Sequence, residues 1–383
     1  MTKAPGTKVK IAVNTRLLLK NRLEGIGWFT FETLSRIVRS HPEHEFLFLF
    51  DRKYDNRFIF ADNISPVVVA PQARHPLLFY WWFEISIPQV LKKYKADIFV
   101  STDAFLSLRA NCKTLLVIHD LNFEHYPQHL PWLVRRYYRH FTPKFVRKAT
   151  RIATVSEYSR KDIMAQYGVV REKIDVVHNG ANPIFRPVEE KVQEKIRSKY
   201  TQNCSFFVFI SAISPRKNLT NLLKAFDLFR KNETKPVKLL VVGEKMWWTD
   251  SLKQTYEAMQ FKEEVIFAGR LSQDELAKVV ASALALTYVS FFEGFGIPII
   301  EAFSSGTPVI TSNVTSMPEV AGDAAITVDP GKVEEIAGAM QTIANDPAKR
   351  KELIEKGKIR SNMFSWDITA DKLWQSVEKA FNS

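Results

Sequence analysis

Ser290-Phe291-Phe292-Glu293-Gly294-Phe295-Gly296-Ile297-Pro298-Ile299-Ile300-Glu301 follows an apolar run at residues 283–289 that predicts a buried β-strand. The glycines between the two glutamates let the backbone turn tightly and approach a ligand closely. Pro298 suits the first turn of a helix, because its missing N–H has no helical partner there. We therefore predict a strand, a glycine loop that carries Glu293, and a helix with Glu301 about one turn inside it.

This predicted turn is a candidate binding site for a sugar nucleotide. Free backbone amides at a helix start attract phosphate or polar sugar oxygens. Two carboxylates beside such an anion site can accept hydrogen bonds from sugar hydroxyls. Taken alone, the same residues fit a loop glycine pair and two solvated glutamates equally well, so the surrounding sequence has to decide.

The rest of the chain indicates two similar α/β units. A chain of 383 residues favours two domains over one core. Short apolar runs alternate with amphipathic helical stretches, which predicts parallel sheets with helices on both faces. The alternation restarts near residue 206, after a polar and charged stretch at residues 183–200. Since ligands bind beyond the carboxyl ends of parallel strands, we expect the two units to face each other across a cleft.

Composition indicates a soluble protein of a reducing compartment. Hydrophobic residues make up 46% and charged residues 25% of the chain, which is ordinary for a globular protein. The two cysteines, Cys112 and Cys204, lie far apart and exclude a disulfide framework. Residues 1–8 are polar and basic and fit no signal peptide, and no apolar run is long enough for a membrane helix. We expect a cytoplasmic protein, either soluble or peripheral on the inner membrane face.

The charge is unevenly distributed. Residues 1–190 contain 29 Lys and Arg against 18 Asp and Glu, a net +11, whereas the remainder has 25 against 23, a net +2. A basic half indicates an anionic partner such as phospholipid headgroups, a phosphorylated lipid acceptor or nucleic acid. A generally basic proteome is the alternative. Two segments bear on this choice: an aromatic run at residues 77–83, either core or membrane contact, and a basic amphipathic stretch at residues 133–148, either solvated or membrane-bound.

Other candidate ligand residues follow predicted strands of the first half. Glu24-Gly25-Ile26-Gly27 precedes a helix predicted to start near Trp28, and glycines at a helix start permit close approach to phosphate. A plain helix-entry loop fits as well. His119 follows the strand at residues 114–118, where a histidine can take polar or acid–base roles. A structural histidine is the alternative.

Two segments of the second half complete the candidate residues. Ser214-Pro215-Arg216-Lys217-Asn218 opens a helix after the strand at residues 206–210. Two cations there can neutralise a diphosphate, with Arg216 as a fork and Lys217 as a point charge, although a solvated basic turn is also common. Gly269 and Arg270 end another strand and can present backbone groups to a nucleobase.

Together these segments resemble the retaining glycosyltransferases of family 4, which have the GT-B fold. The family-like motifs occur in order over nearly the whole chain, at residues 154–159, 177–182, 214–218, 293–298, 306–310 and 312–320. The resemblance implies an α/β protein with two facing Rossmann-like domains, parallel sheets and an interdomain cleft. Residues 1–190 would form the acceptor domain and residues 191–365 the nucleotide-sugar domain, with the C-terminal helix at 366–383 packing back on the first.

The resemblance also implies a role for each candidate residue. Glu301 would accept hydrogen bonds from the ribose, and Glu293 with the amides of Phe295 and Gly296 would hold hydroxyls of the transferred sugar. Arg216 and Lys217 would bind the diphosphate and stabilise its charge as it departs. The implied catalytic residues are therefore His119, Arg216, Lys217 and Glu293, and the implied donor-binding residues are Gly25, Gly27, Gly269, Arg270, Phe295, Gly296 and Glu301.

This chain departs from the common family pattern in its phosphate loop. Ser211-Ala212 stands where the family often has Gly-Arg, and the arginine is Arg216 instead. A subgroup with Pro-Arg-Lys-Asn shares this arrangement. That subgroup, and Gly243-Glu244-Lys245 leading to Trp247-Trp248, favours GDP-mannose as donor, with UDP-glucose and UDP-N-acetylhexosamine left open.

The predicted function is therefore metal-independent, retaining transfer of a sugar from a nucleotide sugar to a glycan or lipid-linked acceptor in surface polysaccharide synthesis. We expect no cofactor and no metal, because the chain has no Asp-x-Asp pair and no Cys/His cluster with metal-ligand spacing. An anionic membrane surface is a candidate partner, and nucleic acid is not, since no reader motif is present. The alternatives are a non-catalytic nucleotide- or glycan-binding scaffold and an epimerase or hydrolase of the GT-B fold.

Overall fold

The apolar runs of this chain form two parallel sheets, one in each of two units. The computed structural model describes residues 8–20, 23–244 and 249–383. One unit comprises Met1–Asn179 with Trp366–Ser383, and the other comprises Gly180–Ser365. The predicted α/β class with two Rossmann-like domains is confirmed. The cleft between them stays a prediction.

The first unit has a seven-stranded sheet in the order β3-β2-β1-β4-β5-β6-β7, in which all neighbours are parallel. Its central strands are buried along nearly their whole length, as is usual for parallel sheets that helices cover on both faces. The strands are β1 (Lys10–Asn14), β2 (Glu45–Phe50), β3 (Ile64–Val68), β4 (Ile98–Ser101), β5 (Lys113–Ile118), β6 (Arg151–Thr154) and β7 (Ile174–Val176). The helices are α1 (Gly25–Ser40), α2 (Pro76–Trp81), α3 (Ile87–Tyr94), α4 (Asn122–His125), α5 (Trp132–Lys148) and α6 (Glu157–Tyr167).

The second unit has a six-stranded parallel sheet in the order β10-β9-β8-β11-β12-β13. Its strands are β8 (Ser205–Ile210), β9 (Val237–Val242), β10 (Val265–Gly269), β11 (Ala285–Tyr288), β12 (Val309–Ser312) and β13 (Ile326–Val328). Its helices are α7 (Glu190–Thr201), α8 (Leu219–Lys231), α9 (Asp250–Ala258), α10 (Gln273–Ala281), α11 (Ile297–Ser304), α12 (Met317–Ala321), α13 (Val333–Asn345) and α14 (Pro347–Ser361).

The last helix, α15 (Trp366–Asn382), belongs to the first unit. It packs along α1, where the rings of Phe29 and Trp366 lie 6.3 Å apart, edge to face. The Thr369 hydroxyl donates a 2.7 Å hydrogen bond to the carbonyl of His178. Apolar packing and this hydrogen bond therefore fix the start of α15, where the chain returns to the first unit.

The first unit ends at Asn179 rather than at the predicted residue 190. The residues after Asn179 contact the second unit before α7 begins. The Ala181 amide donates to the carbonyl of Phe364, and the ring of Pro187 lies beside Gly306. The boundary therefore follows packing, which the polar composition of this stretch does not reveal.

The strand order reverses once in each sheet. In the first unit the reversal lies between β1 and β4, and in the second between β8 and β11. Loops that leave two such strands on opposite sides open a crevice at the carboxyl edge of the sheet. Two of the three loops of the second unit that carry candidate residues leave β8 and β11, so the topology brings these two together.

Gly243 allows the loops that follow β8 and β9 to approach each other closely at this edge of the second sheet. It has a φ of 150°, and a Cβ at this position would lie 1.8 Å from the carbonyl oxygen of Ser211. We expect Gly243→Ala to lower the free energy of unfolding by roughly 2–4 kcal/mol, because backbone would have to move. Gly338→Ala is the matched control, since Gly338 lies inside α13 with open space around its Cβ position. That variant should be neutral or up to about 1 kcal/mol more stable. Urea unfolding curves measure both, and equal effects would contradict the assignment.

Candidate active site

The loop between β11 and α11 has the predicted strand–loop–helix form. Gly296 caps α11 with a φ of 104°, a left-handed conformation that disfavours any side chain. Pro298 occupies the first turn of α11, and Glu301 lies about one turn inside it. Phe295 is buried with its ring edge-on to Phe364, so it can offer a ligand its backbone rather than its ring.

Glu293 joins the two loops at the point of strand reversal. One carboxylate oxygen lies 2.9 Å from Nη1 of Arg216, and the other lies 2.5 Å from Nζ of Lys217. Arg216 also donates to the carbonyl of Phe292 at 2.9 Å. Both cations belong to a short 3₁₀ turn, Pro215–Lys217, that follows β8. The structure therefore brings three of the predicted catalytic residues into direct contact.

This group carries a fixed charge. Burial alone would raise the pKa of Glu293, but the Lys217 and Arg216 charges outweigh it and lower the pKa to about 2. Glu293 is therefore ionised at neutral pH. Two cations and one carboxylate leave the group with one net positive charge, which favours an anionic ligand.

Side chains that the sequence reasoning did not select hold this group in place. The Tyr288 hydroxyl accepts a 3.0 Å hydrogen bond from Lys217, and burial raises the pKa of Tyr288 well above its usual value. Asn218 adopts a left-handed conformation and donates to the carbonyls of Val289 and Pro330 at 2.9 and 2.7 Å. These contacts fix the turn that presents Arg216 and Lys217. Tyr288 gave no signal because it ends an apolar strand.

The motif at residues 312–320 supports the other side of the group. The Ser316 hydroxyl donates to the carbonyls of Glu293 and Phe295 at 2.9 and 3.0 Å, and the Thr315 hydroxyl accepts from the Glu293 amide at 3.3 Å. The motif was recognised in the sequence without a role. The structure shows that it holds the backbone of the glutamate loop.

Glu301 differs from Glu293 in its environment. It is half-buried, and burial raises its pKa to about 8. Within the part of the chain that the structure describes, its carboxyl group makes no hydrogen bond or ion pair with another side chain. At neutral pH the group is therefore mainly protonated and can both donate and accept a hydrogen bond.

Gly269 and Arg270 lie at the end of β10, two strands away from β8. The Gly269 carbonyl accepts a 2.9 Å hydrogen bond from the Gly243 amide, which joins the loops after β9 and β10. Arg270 is exposed and pairs with Glu244 at 3.3 Å rather than with the Glu293 group. The segment Gly243-Glu244-Lys245 before Trp247-Trp248 runs into residues 245–248, which lie outside the described residues.

His119 belongs to the first unit and follows β5. Its Nε2 lies 2.9 Å from the carbonyl oxygen of Thr102, so this nitrogen carries the proton and donates. Burial lowers the pKa of His119, which favours the neutral ring with a lone pair on Nδ1. The ring lies edge-on to Phe29 with centroids 4.9 Å apart, and the Thr102 hydroxyl bonds Thr30 of α1 at 2.8 Å. Neighbouring elements thus fix both the orientation and the tautomer.

Gly25 and Gly27 form the first turn of α1. The prediction of a helix start near Trp28 was therefore wrong by three residues, because glycines tolerate the helical first turn when no bulky neighbour opposes it. A Cβ on Gly27 would lie 3.0 Å from the carbonyl oxygen of Leu17, whereas one on Gly25 would meet nothing within 4 Å. Packing within this unit therefore requires a glycine only at position 27, which leaves Gly25 open to a ligand.

One group of possible metal ligands lies in the first unit, away from these residues. His41, Glu43 and His44 place one ligand atom each within 4.8 Å of one another. The sequence analysis did not single out this group, which lies at the turn between α1 and β2, and the expectation that the protein needs no metal stays a prediction. Both imidazole rings stack on Trp374 of α15, at 3.8 and 5.2 Å between centroids, which gives them a packing role.

Each half of the chain matches a family of sugar-transferring enzymes. Residues 191–360 match the family described as Glycosyl transferases group 1, and residues 25–184 match Glycosyltransferase Family 4. The chain belongs to glycosyltransferase family 4. The resemblance drawn from the motifs is thereby confirmed.

Relatives and solved structures extend this result over the full chain. The O-antigen chain mannosyltransferase B of Escherichia coli is 27% identical over 91% of this chain and 94% of its own length. The O-antigen chain mannosyltransferase RfbU of Salmonella typhimurium is 29% identical over 71% of this chain and 72% of its own. The HepE protein of Anabaena, solved in complex with UDP and glucose, has a TM-score of 0.75 at 16% identity and covers 97% of this chain and 99% of its own. The last comparison shows the shared fold.

The raised pKa of Glu301 gives a pH-dependent stability. Its folded-state pKa of about 8 lies above the ordinary value of 4.5, so between these values the group ionises in the unfolded state but stays protonated in the folded state, and stability falls as pH rises. Glu301→Gln keeps the shape and removes the titration. We expect this variant to gain on the order of 2 kcal/mol over the natural chain near pH 8.5 and almost nothing near pH 4.5. Thermal unfolding at both values tests this, with Glu334→Gln on the exposed face of α13 as control. A gain that does not change with pH would contradict the assignment.

Proposed function

We propose that this glycosyltransferase moves mannose from GDP-mannose to a glycan or lipid-linked acceptor with retention of configuration. The observation that carries the proposal is the Arg216–Glu293–Lys217 group at the strand reversal, with Glu301 one helix turn beyond it. A net positive charge and two differently ionised carboxyl groups within one crevice suit a nucleotide sugar.

The two cations bind the leaving group and stabilise its negative charge. The donor diphosphate carries negative charge, and Arg216 and Lys217 supply donors from one rigid turn. As the bond between the sugar carbon and the diphosphate oxygen breaks, charge accumulates on that oxygen, and preorganised cations stabilise it. No metal ion is needed in this proposal, because side chains provide the positive charge.

Glu293 and Glu301 hold the two sugars of the donor. When the diphosphate takes hydrogen bonds from Arg216 and Lys217, a Glu293 oxygen becomes available to a hydroxyl of the transferred hexose. Glu301 faces the ribose, where its carboxyl group both donates and accepts. From the first unit, the Nδ1 lone pair of His119 accepts from a sugar hydroxyl.

Retention follows a same-face route in this proposal. The acceptor hydroxyl attacks the sugar carbon on the face from which the diphosphate departs. Its proton passes to an oxygen of the departing diphosphate, so that one carbon–oxygen bond breaks and another forms.

The relatives support mannose and polysaccharide synthesis, since two of them are named O-antigen chain mannosyltransferases. The HepE complex with UDP and glucose keeps uridine sugars as the second candidate donor class. None of the described helices is long and apolar enough to cross a membrane. We place the reaction in the cytoplasm, with the basic first unit against an anionic membrane surface that offers a lipid-linked acceptor.

The donor class is tested by thermal shift with EDTA present. A ligand that binds only the folded state raises its stability by about 2.7 kcal/mol at a hundredfold excess over the dissociation constant. We expect GDP and GDP-mannose to raise the unfolding temperature, and UDP, ADP and dTDP to raise it less. The shift should disappear in Glu301→Ala. An equal response to all four nucleotides would contradict the choice of donor, and no response would contradict the site.

Glu293→Gln separates catalysis from binding. The change removes the charge that neutralises Arg216 and Lys217, so both cations remain available to the diphosphate. We expect the GDP-induced thermal shift to persist while transfer to acceptor falls at least about a hundredfold. Glu194→Gln on the exposed face of α7 is the matched control and should transfer normally. Donor consumption without a glycoside product would instead favour the hydrolase or epimerase, and a natural chain that never consumes donor would favour the scaffold.

A further inference from the structure

Two neighbouring helices of the first unit expose an unusual number of large apolar side chains. Leu77, Trp81 and Trp132 are 71%, 54% and 60% exposed. The residues that share this exposure, here called the α2–α5 face, are Leu77, Leu78, Tyr80, Trp81, Trp132 and Leu133. Elsewhere in the described ranges, exposed large apolar side chains lie singly or in pairs, so this face is a distinct surface feature.

The other side of α2 explains why the helix is nevertheless well anchored. The Phe79 ring lies 5.1 Å from that of Phe105 and 5.8 Å from that of Tyr137, and Trp82 and Phe83 are fully buried. The aromatic run therefore divides into core contacts on one side and exposed rings on the other. Of the two interpretations that the sequence left open for this run, the core interpretation holds for Phe79, Trp82 and Phe83, and membrane contact by the exposed residues stays a prediction.

The helix α5 adds positive charge to the exposed rings. It contains six Lys and Arg residues and no Asp or Glu. Trp132, Arg136 and Arg139 are all exposed and follow one another at helical spacing of four and three residues, so they lie on one side of the helix. The Arg136 guanidinium lies 5.4 Å from the Trp132 ring, which keeps charge and aromatic surface together.

The two helices lie side by side. The Tyr80 ring of α2 lies 6.0 Å from the Phe141 ring of α5, and both residues reach the surface. α2 and α5 are therefore neighbours that both expose apolar side chains, and α5 carries Arg136 and Arg139 on the same exposed side as Trp132. An apolar patch beside a row of cations is complementary to a surface that has anionic groups above hydrocarbon.

We infer that the α2–α5 face docks this protein on an anionic lipid bilayer. Trp81, Trp132 and the leucines enter the headgroup region, where Trp and Tyr side chains are favoured. Arg136 and Arg139 contact lipid phosphates. The inference rests on the proposed function for its purpose, which is to bring the enzyme to a lipid-linked acceptor, but the docking itself needs neither donor nor acceptor.

The test is flotation of the purified full chain with vesicles of phosphatidylethanolamine containing about one third phosphatidylglycerol, and with vesicles of phosphatidylcholine. We expect binding to the anionic vesicles and at most weak binding to the neutral ones. Trp81→Ser with Trp132→Ser, and separately Arg136→Glu with Arg139→Glu, should each lower the partition coefficient about tenfold or more. Lipids brominated near the headgroup should quench tryptophan emission of the natural chain more than that of the tryptophan variant.

Two control variants carry the same kinds of substitution, apolar to serine and cation to glutamate, at exposed positions outside the α2–α5 face. Val170→Ser with Ile359→Ser removes two apolar side chains that are 63% and 71% exposed, and Lys191→Glu with Lys195→Glu reverses two exposed charges on α7. Both should bind like the natural chain. The GDP-induced thermal shift should be unchanged in every variant, which shows that each remains folded.

Equal binding to anionic and neutral vesicles would overturn the inference. Vesicle binding by the tryptophan or arginine variant as strong as that of the control variants would also overturn it. So would a change of oligomeric state in the tryptophan variant without a change in vesicle binding, since it would assign the face to a second copy of the chain. Vesicle binding without sugar transfer would contradict the proposed function and support the docking face. Transfer to a soluble acceptor without vesicle binding would do the reverse.

Discussion

The pairing of one buried carboxylate with two cations organises the candidate site. Glu293 is ionised in a buried position only because Arg216 and Lys217 both reach it. That geometry requires β8 and β11 to be neighbours and requires the turn after β8 to be rigid. The left-handed Asn218, the Tyr288 hydroxyl and the Ser316 hydroxyl meet those requirements. Much of the local architecture therefore serves to hold three charges at fixed distances.

The two glutamates of one short segment are held in opposite protonation states. Glu293 has a pKa of about 2 and Glu301 a pKa of about 8, although only seven residues separate them in the chain. The cause is their surroundings: one faces cations and the other faces apolar burial without a partner. Such divergence is typical of sites where neighbouring carboxyl groups have different tasks. Here it gives one group a fixed negative charge and leaves the other able both to donate and to accept a hydrogen bond.

Local pattern predicted much of this fold and part of the site. The bounds of β2 and β9 follow from their apolar runs, and the glycine loop with Glu293 follows from residue type and spacing. Tyr288 was missed because its role depends on Lys217, which lies in the turn after a different strand. The start of α1 was misplaced because a helical first turn made of glycines has no distinct local signal. The exposed half of the aromatic run in α2 could not be separated from the core half, since only tertiary packing decides which rings are covered.

The helix α15 gives the chain a discontinuous plan, because the polypeptide leaves the first unit after Asn179 and returns to it at Trp366. In sequence, the second unit is therefore an insertion into the first unit, placed between Asn179 and α15. A gene fragment that stops before Trp366 would therefore encode a first unit whose α1 lacks the cover of α15, including the Trp366 ring beside Phe29. A single backbone cut between Asn179 and α7 would leave the halves associated, since α15 remains covalently joined to the second unit while packed on the first. Exchange of either unit for that of another protein accordingly needs two junctions rather than one.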